Sequence, residues 1–359
     1  MLIVSSCLSG RAECRFQFSE PEVVAQVKPD NAAEVSGLAV SRQSPKVFWI
    51  HNDGDRDRVF ALNGSGELLA TYQISRALSD FEDIAIGPGP DPSRDYLYFG
   101  DIGSNSAVRN KIRIYRALEP KVDPAWVENP KTPKFSGVER FELEYPDEEG
   151  HDAEGFFVDP MSGDIFVFTK TGGESSVFRA PGSQLIPETS SVLERVGLIA
   201  FSNVSSAAIS RDGGYIAVRR ESAAKLWVRQ SGQTVIEALQ TEPFDLPVVG
   251  VPAEPNGEAL CFDPMGGGYY TTSEGVNQNI YRFALETQSI QFPTLGIPTF
   301  REGRWNFDIR ACPGSAIVIE KSVALGVWTD FDYIYLFGGI GSFSDSEEGQ
   351  CFYRLRLSE

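Results

Sequence analysis

A short pattern of polar and apolar residues recurs along the chain. Each copy has an acid or amide, any residue, Glu or Ser, a small or acidic residue, and then three mostly apolar residues. The apolar part of each copy has the character of a buried β-strand. Successive copies are roughly 50 to 70 residues apart, a spacing typical of repeated supersecondary units. Five copies are found, and they begin at Glu34, Asp80, Asp152, Asn203 and Asn256.

Turn residues follow three of these copies, and each turn leads into a second aromatic or β-branched run, as in a β-hairpin. The turns are Asp159–Gly163, Arg211–Gly214 and Asp263–Gly267. A third strand is marked by an apolar or aromatic pair that arginine usually follows, at positions 59–60, 114–115, 177–178, 226–227, 280–281 and 352–353. Outer strands follow the early copies. Four antiparallel strands repeated six times predict an all-β fold, a six-bladed β-propeller.

The two ends of the chain complement each other in this interpretation. The copy at 352–353 ends so close to the C-terminus that its blade lacks a fourth strand. The run Pro21–Val27 precedes the first repeat, so we predict that it completes the last blade, closes the ring and removes an exposed edge. We therefore expect a single propeller over residues 21–359, preceded by an export-signal remnant or disordered segment at 1–20. An irregular insertion is expected around 284–330, where the repeat is interrupted.

Composition narrows the possible partners. The chain has 50 acidic and 32 basic residues, a formal net charge of −18, which disfavours nucleic acid. Its apolar runs are too short for a membrane span. The N-terminal segment favours a secreted or periplasmic protein, which we expect to be a monomer. Cys14, Cys312 and Cys351 lie near the chain ends, where a disulfide could form, Cys261 is expected to be buried, and the absence of a Cys-x-x-Cys pair argues against structural zinc.

Propeller topology predicts where the acids gather. The innermost strand of a blade starts on the face where its antiparallel neighbour ends, so the residues at these two points meet around one mouth of the channel. Crowded carboxylates repel one another unless a cation or a proton relieves them. Oxygen ligands favour Ca²⁺, one ion or more, or another divalent ion. The alternative is that these residues cap turns. The predicted metal ligands are Glu34, Asn52, Asp53, Asp80, Glu82, Asp83, Asp101, Asp152, Glu154, Glu258 and Glu274.

Three bases end the second strands of the third and fourth blades, namely Lys170, Arg219 and Arg220. Beside a metal–carboxylate cluster they would bind an anionic small molecule, and arginine suits phosphate oxygens in particular. The alternative is that they pair with neighbouring acids. The only histidines, His51 and His151, both fall in repeat motifs, where each is either a proton-transfer group or a structural side chain.

Two of the repeats resemble a known group of proteins. These are Asp152-Ala-Glu-Gly-Phe-Phe-Val-Asp-Pro with the following Ile-Phe-Val-Phe-Thr-Lys, and Gly257-Glu-Ala-Leu-Cys-Phe-Asp-Pro with the following Tyr-Tyr-Thr-Thr-Ser-Glu. They are similar to six-bladed propellers of the phytase-like group and, more distantly, to gluconolactonase and paraoxonase propellers, over roughly residues 20–283. The resemblance implies a calcium-lined mouth and a phosphate held between calcium and the bases Lys170, Arg219 and Arg220. Few lysines lie near the other blades, so phytate itself is not expected as the substrate.

The functional hypothesis is therefore a secreted, calcium-dependent hydrolase, a phosphatase that acts on phosphate esters through metal-activated water. One alternative is a lactonase or esterase with the same calcium site and an apolar wall from Phe292, Phe300 and Trp305. The other is a non-catalytic propeller that binds a ligand or a protein, since a fold alone does not determine function.

Overall fold

The chain folds into two compact units built almost entirely of β-strands. The structure is a computed structural model that describes residues 15–53, 57–230, 232–288, 293–296, 298–301, 303–311, 315–323, 327–336, 340–346 and 351–357. Residues 20–229 and 233–284 form one unit, called here the propeller unit. The described residues within 15–19, 230–232 and 285–357 form the other, called here the C-terminal unit. In the described part of the chain, no helix is long and apolar enough to cross a membrane.

The described part of the chain begins with β1 (Arg15–Phe18) and β2 (Glu22–Gln26). Each sheet of the propeller unit then follows largely in chain order. The first sheet contains β3 (Val35–Val40), β4 (Phe48–Asn52), β5 (Arg58–Leu62) and β6 (Leu68–Gln73). The second contains β7 (Phe81–Gly87), β8 (Tyr96–Asp101), β9 (Lys111–Leu118) and, after a 3-10 helix at Pro124–Glu128, β10 (Glu139–Glu144).

The third sheet contains β11 (Ala153–Val158), β12 (Ile165–Thr169), β13 (Ser175–Ala180) and β15 (Glu194–Ile199). A 3-10 helix at Gly182–Gln184 and the short β14 (Ser190–Val192), which pairs in parallel with β10, lie between its last two strands. The fourth sheet contains β16 (Ser206–Ile209), β17 (Tyr215–Arg220), β18 (Ala223–Val228) and, after helix α1 (Val235–Leu239), β19 (Phe244–Leu246). The fifth contains β20 (Asn256–Phe262), β21 (Gly268–Glu274) and β22 (Asn279–Gln288), with β2 at its edge.

The first strand of each sheet is the innermost one. These strands, β3, β7, β11, β16 and β20, lie side by side in chain order, and β20 also lies beside β3. Because sheets pack on both faces of each strand, the inner strands are runs of buried apolar residues rather than alternating ones, and every residue of β11 is buried. Aromatic side chains fill the space between sheets, for example Trp49 and Phe99 between the first two and Phe156 and Phe178 between the next two.

The predicted all-β fold and the β-propeller are confirmed, but the count of six blades is not. The described residues of the propeller unit form five such sheets. The N-terminal strand does join a sheet, with Glu22 opposite Arg282, but that sheet is formed by β20 to β22 and not by the copy at 352–353. The reason lies in the repeats, because residues 285–359 carry the third-strand pair without the acid-led motif that begins an inner strand.

The C-terminal unit has its own sheets and its own core. In it β1 pairs with residues 285–288 of β22, and stacked Phe307 and Phe343 lie among the core residues. Its further strands are β23 (Thr294–Leu295), β24 (Thr299–Arg301), β25 (Arg304–Arg310), β26 (Ser315–Ser322), β27 (Thr329–Leu336), β28 (Ile340–Asp345) and β29 (Phe352–Leu357). Of the predicted disulfide candidates, Cys351 is a free thiol, whereas Cys14 and Cys312 lie outside the described residues. Cys261 is buried, as expected.

Candidate functional site

A β-bulge lies near the beginning of four inner strands. In β3, β7, β11 and β20 the pairing register skips one residue, and the skipped residues are Ser36, Glu82, Glu154 and Glu258. A bulge bends the strand and re-aims the extra side chain, which is why bulges are frequent beside functional sites. The skipped position is the Glu-or-Ser position of the sequence motif. The repeat therefore encodes three glutamates that leave the regular pleat near the same end of the channel.

Three carboxylates converge at this end, from the first and second sheets. Asp53, Asp80 and Glu82 each offer an oxygen, and these oxygens all lie within 4.8 Å of one another. Gly103 makes this approach possible, because a Cβ at that position would lie 1.9 Å from Glu82 Oε1 and 2.8 Å from Asp80 Cγ. The carboxylates thus occupy the space that any other residue at position 103 would fill.

Glu82 is the most constrained member of this acidic triad. Glu82 is only 5% exposed. Among the described residues, its carboxylate has no hydrogen-bond or ion-pair partner. Burial, reinforced by Glu154, Asp53 and Asp80, raises the pKa of Glu82 to about 10. Burial and the neighbouring Asp80 also raise the pKa of Asp53. Ionising Glu82 and Asp53 is therefore unfavourable unless a positive charge lies beside them.

Lys170 supplies one positive charge on the other side of the mouth. It follows β12, and its Nζ lies 2.7 Å from Glu154 Oε2. Burial alone would lower the pKa of Lys170, but Glu154, Glu258 and Glu82 outweigh burial and raise it. Burial raises the pKa of Glu154 to about 8 and that of Glu258 to about 7, with Lys170 opposing both shifts. These mutual shifts show that the three glutamates and Lys170 share one electrostatic environment.

Other predicted ligands serve the protein framework. Asp101 is fully buried, accepts the backbone N–H groups of Ser79 and Asp80, and lies 3.0 Å from Arg109. Asn52 accepts from the Glu34 backbone N–H and donates to the Asn31 carbonyl.

The remaining predicted ligands lie at different depths. Asp83 is buried deeper in the channel, where it accepts backbone N–H groups of Phe156 and Ala207 on two other inner strands. Asp152 accepts the backbone N–H of Ser104, and Glu274 accepts from the Asn256 side chain. Asp152 contributes to the raised pKa of Glu82, although burial and other acids contribute more. Glu274 contributes in the same way to the raised pKa of Asp53. These two acids surround the triad without joining it.

The two arginines have different surroundings. Arg219 is completely buried, pairs with Glu254 at 3.1 Å and donates to the carbonyls of Ala259 and Thr272, so the prediction that it binds an anion does not agree with its position. The absence of a Cβ at Gly257 leaves room for its guanidinium. Arg220 is partly exposed and donates to the Ser202 hydroxyl over the ring of Phe201.

Neither histidine is arranged for proton transfer in the mouth. His51 is completely buried and stacks on Phe81 with ring centroids 3.6 Å apart, and burial lowers its pKa to about 3, so its ring is neutral and inaccessible. His151 contacts Asp147 at 3.0 Å and packs against Tyr145. These contacts are those of structural side chains.

Sequence reasoning missed two residues that shape this region. Gly103 allows the close approach of the triad, and the only local signal was a glycine two residues after the end of β8. Glu254 captures Arg219, and it lies in the segment between β19 and β20 where no repeat pattern identifies it.

Comparison with known proteins identifies no family. No protein-family model and no curated protein matches the chain. Similar solved structures include U3-55K (11% identity, TM-score 0.37, covering 73% of this chain and 98% of that one). They also include the Cps50 (Swd1) β-propeller domain from Myceliophteria thermophila (8% identity, TM-score 0.38, covering 73% of this chain and 99% of that one). A third is a structural genomics protein of unknown function from Bacteroides thetaiotaomicron (10% identity, TM-score 0.38, covering 76% of this chain and 77% of that one).

Proposed function

We propose that the acidic triad binds a divalent cation, Ca²⁺, and that the cation and Lys170 together hold a small phosphate ester for hydrolysis. The observation that supports this most is Glu82. A buried carboxylate without a partner is costly, and a cation is the simplest partner for one that faces two further acids. Three carboxylates with no nitrogen or sulfur donor match the hard, oxygen-seeking chemistry of calcium.

The chain's own residues would divide the remaining work. Lys170 would donate from Nζ to a phosphoryl oxygen, with Glu154 holding the ammonium in place. Arg220 would bind a second oxygen at the rim, since this residue is partly exposed. Glu258, whose Oε2 is buried without a hydrogen bond in the described structure, would accept the proton of the attacking water. When bound, Ca²⁺ would neutralise the carboxylates, polarise the phosphoryl group and make the water easier to deprotonate.

Arg219 has no part in this proposal, because moving it to a substrate would leave Glu254 buried and unpaired. The lactonase alternative rests on an apolar wall of Phe292, Phe300 and Trp305, none of which belongs to the described residues of the propeller unit. Among the described residues of the mouth, charged side chains predominate.

The experiment measures hydrolysis of a panel of phosphate monoesters, beginning with p-nitrophenyl phosphate, by protein treated with EDTA and then supplied with Ca²⁺. We expect turnover only with Ca²⁺. Lys170→Gln should reduce turnover at least tenfold while calcium affinity, measured by calorimetry, does not fall. A matched control is Lys225→Gln, since Lys225 lies on β18 and pairs with Asp245.

Two results would separate the parts of this proposal. Turnover unaffected by EDTA would remove the cation from the reaction. Calcium binding without turnover on any ester of the panel would contradict the hydrolase and favour a propeller that only binds a ligand.

A further inference from the structure

The channel has a second opening, at the end where the inner strands finish. All five inner strands contribute to a recess there, with Val40, Ile86, Val158, Ile209 and Phe262 as one lining residue from each. The enclosed part of the recess measures about 50 Å³, and the part open to solvent brings it to about 490 Å³, so a bound ligand would lie largely at the opening. The acidic triad lies near the opposite ends of these strands, so the recess is separate from the proposed cation site.

Two arginines line this recess, and they differ in what they already bind. Arg42 is nearly buried and donates to Asp95 at 2.9 Å. Arg211, on the turn after β16, is half exposed and approaches Asp95 only to 3.7 Å. Among the described residues its guanidinium makes no hydrogen bond. The guanidinium of Arg211 therefore presents N–H donors at the edge of a recess whose lining side chains are mostly apolar.

The nearby acids are already engaged with other groups. Asp95 accepts from Arg42, and Glu119 accepts from the Ser41 hydroxyl, the Trp49 indole and the Arg42 backbone N–H. Both carboxylates therefore have hydrogen-bond donors other than Arg211.

We propose that the recess binds a small carboxylate with an apolar tail. Its carboxylate would pair with Arg211, in the bidentate geometry that guanidinium favours, and its tail would lie between the ends of the inner strands. Met161 and Met265 are largely exposed on the turns after β11 and β20, at the same end of the strands. These flexible side chains suit contact with an alkyl chain.

The test titrates the full-length protein with hexanoate by isothermal titration calorimetry, with hexanol and acetate as probes that lack the charge or the tail. We expect hexanoate to bind and each of the other two to bind at least tenfold more weakly. Arg211→Gln should weaken hexanoate binding tenfold or more. Lys225→Gln, which removes a positive charge from the same sheet, should leave the affinity unchanged, and Lys170→Gln should too.

Each contrary result is informative. Equal binding of hexanoate by Arg211→Gln and the unaltered protein would overturn the proposal, as would hexanol binding as tightly as hexanoate. Loss of binding in Lys170→Gln would show that the carboxylate binds in the acidic mouth instead. Absence of hexanoate binding to the unaltered protein would overturn it as well. The proposal does not depend on the cation, so the titration is run with EDTA and again with Ca²⁺, and the same affinity is expected.

Discussion

Replacing Glu82 by glutamine tests the electrostatics of the mouth most sharply. Without a cation, the buried Glu82 carboxyl keeps its proton, since its pKa is raised to about 10 by burial and the neighbouring acids. An unfolded glutamate releases its proton near pH 4.3. Between these two values the folded state binds more protons than the unfolded state, so stability falls as the pH rises.

The size of this effect follows from the linkage relation. One group that is protonated only in the folded state costs about 1.4 kcal/mol of stability per pH unit. Between pH 6 and pH 8, Glu82 should therefore remove about 2 to 3 kcal/mol from the free energy of unfolding. Glutamine has nearly the same shape as glutamate and does not titrate. In Glu82→Gln, the free energy of unfolding should therefore fall by about 2 to 3 kcal/mol less between pH 6 and pH 8 than in the unaltered protein.

The assay is urea denaturation in EDTA at several pH values, followed by the same series with Ca²⁺. Calcium should raise the stability of the unaltered protein, and more so at pH 8 than at pH 6, while Glu82→Gln should gain little. Glu242→Gln, at an exposed position, is the matched control and should behave like the unaltered protein. An unchanged pH slope in Glu82→Gln, together with an unchanged calcium response, would refute the reasoning.

Two further substitutions separate the mouth from the framework. Gly103→Ala should weaken calcium binding at least tenfold, because the new Cβ would lie 1.9 Å from Glu82 Oε1, and calorimetry with a thermal melt checks that the fold is retained. Arg219→Ala should destabilise the protein by about 3 to 5 kcal/mol, since it leaves Glu254 buried without its partner, whereas Arg220→Ala should cost less than about 1 kcal/mol in the same urea titration. Similar losses for the two arginine variants would contradict the distinction between them.

The sequence predicted the inner strands better than it predicted the number of blades. The motif that begins an inner strand combines polar and apolar requirements, and its five copies correspond to the five sheets. The third-strand pair is only a short apolar signal followed by arginine, a pattern that any β-strand with one exposed base can satisfy. Its copy at 352–353 lies in β29, which pairs with β26 in the C-terminal unit.

Those residues of the candidate site that occupy a fixed position in the repeat could be predicted from the sequence. Glu82, Glu154 and Glu258 occupy one motif position, and the bulges bring that position near the same end of the channel. Lys170 and Arg219 lie near the ends of corresponding strands, β12 and β17, yet Lys170 pairs with Glu154 and Arg219 pairs with Glu254. That difference depends on a contact between distant segments, and no local pattern in the sequence reveals such a contact.

The central claim is that the acidic triad binds a divalent cation. The most direct measurement is the electron density of crystals grown with Ca²⁺, with anomalous scattering to identify the ion. We expect a peak held by Asp53, Asp80 and Glu82, with oxygen ligands at about 2.4 Å. A mouth that contains only water at saturating calcium, with the three carboxylates in place, would contradict it.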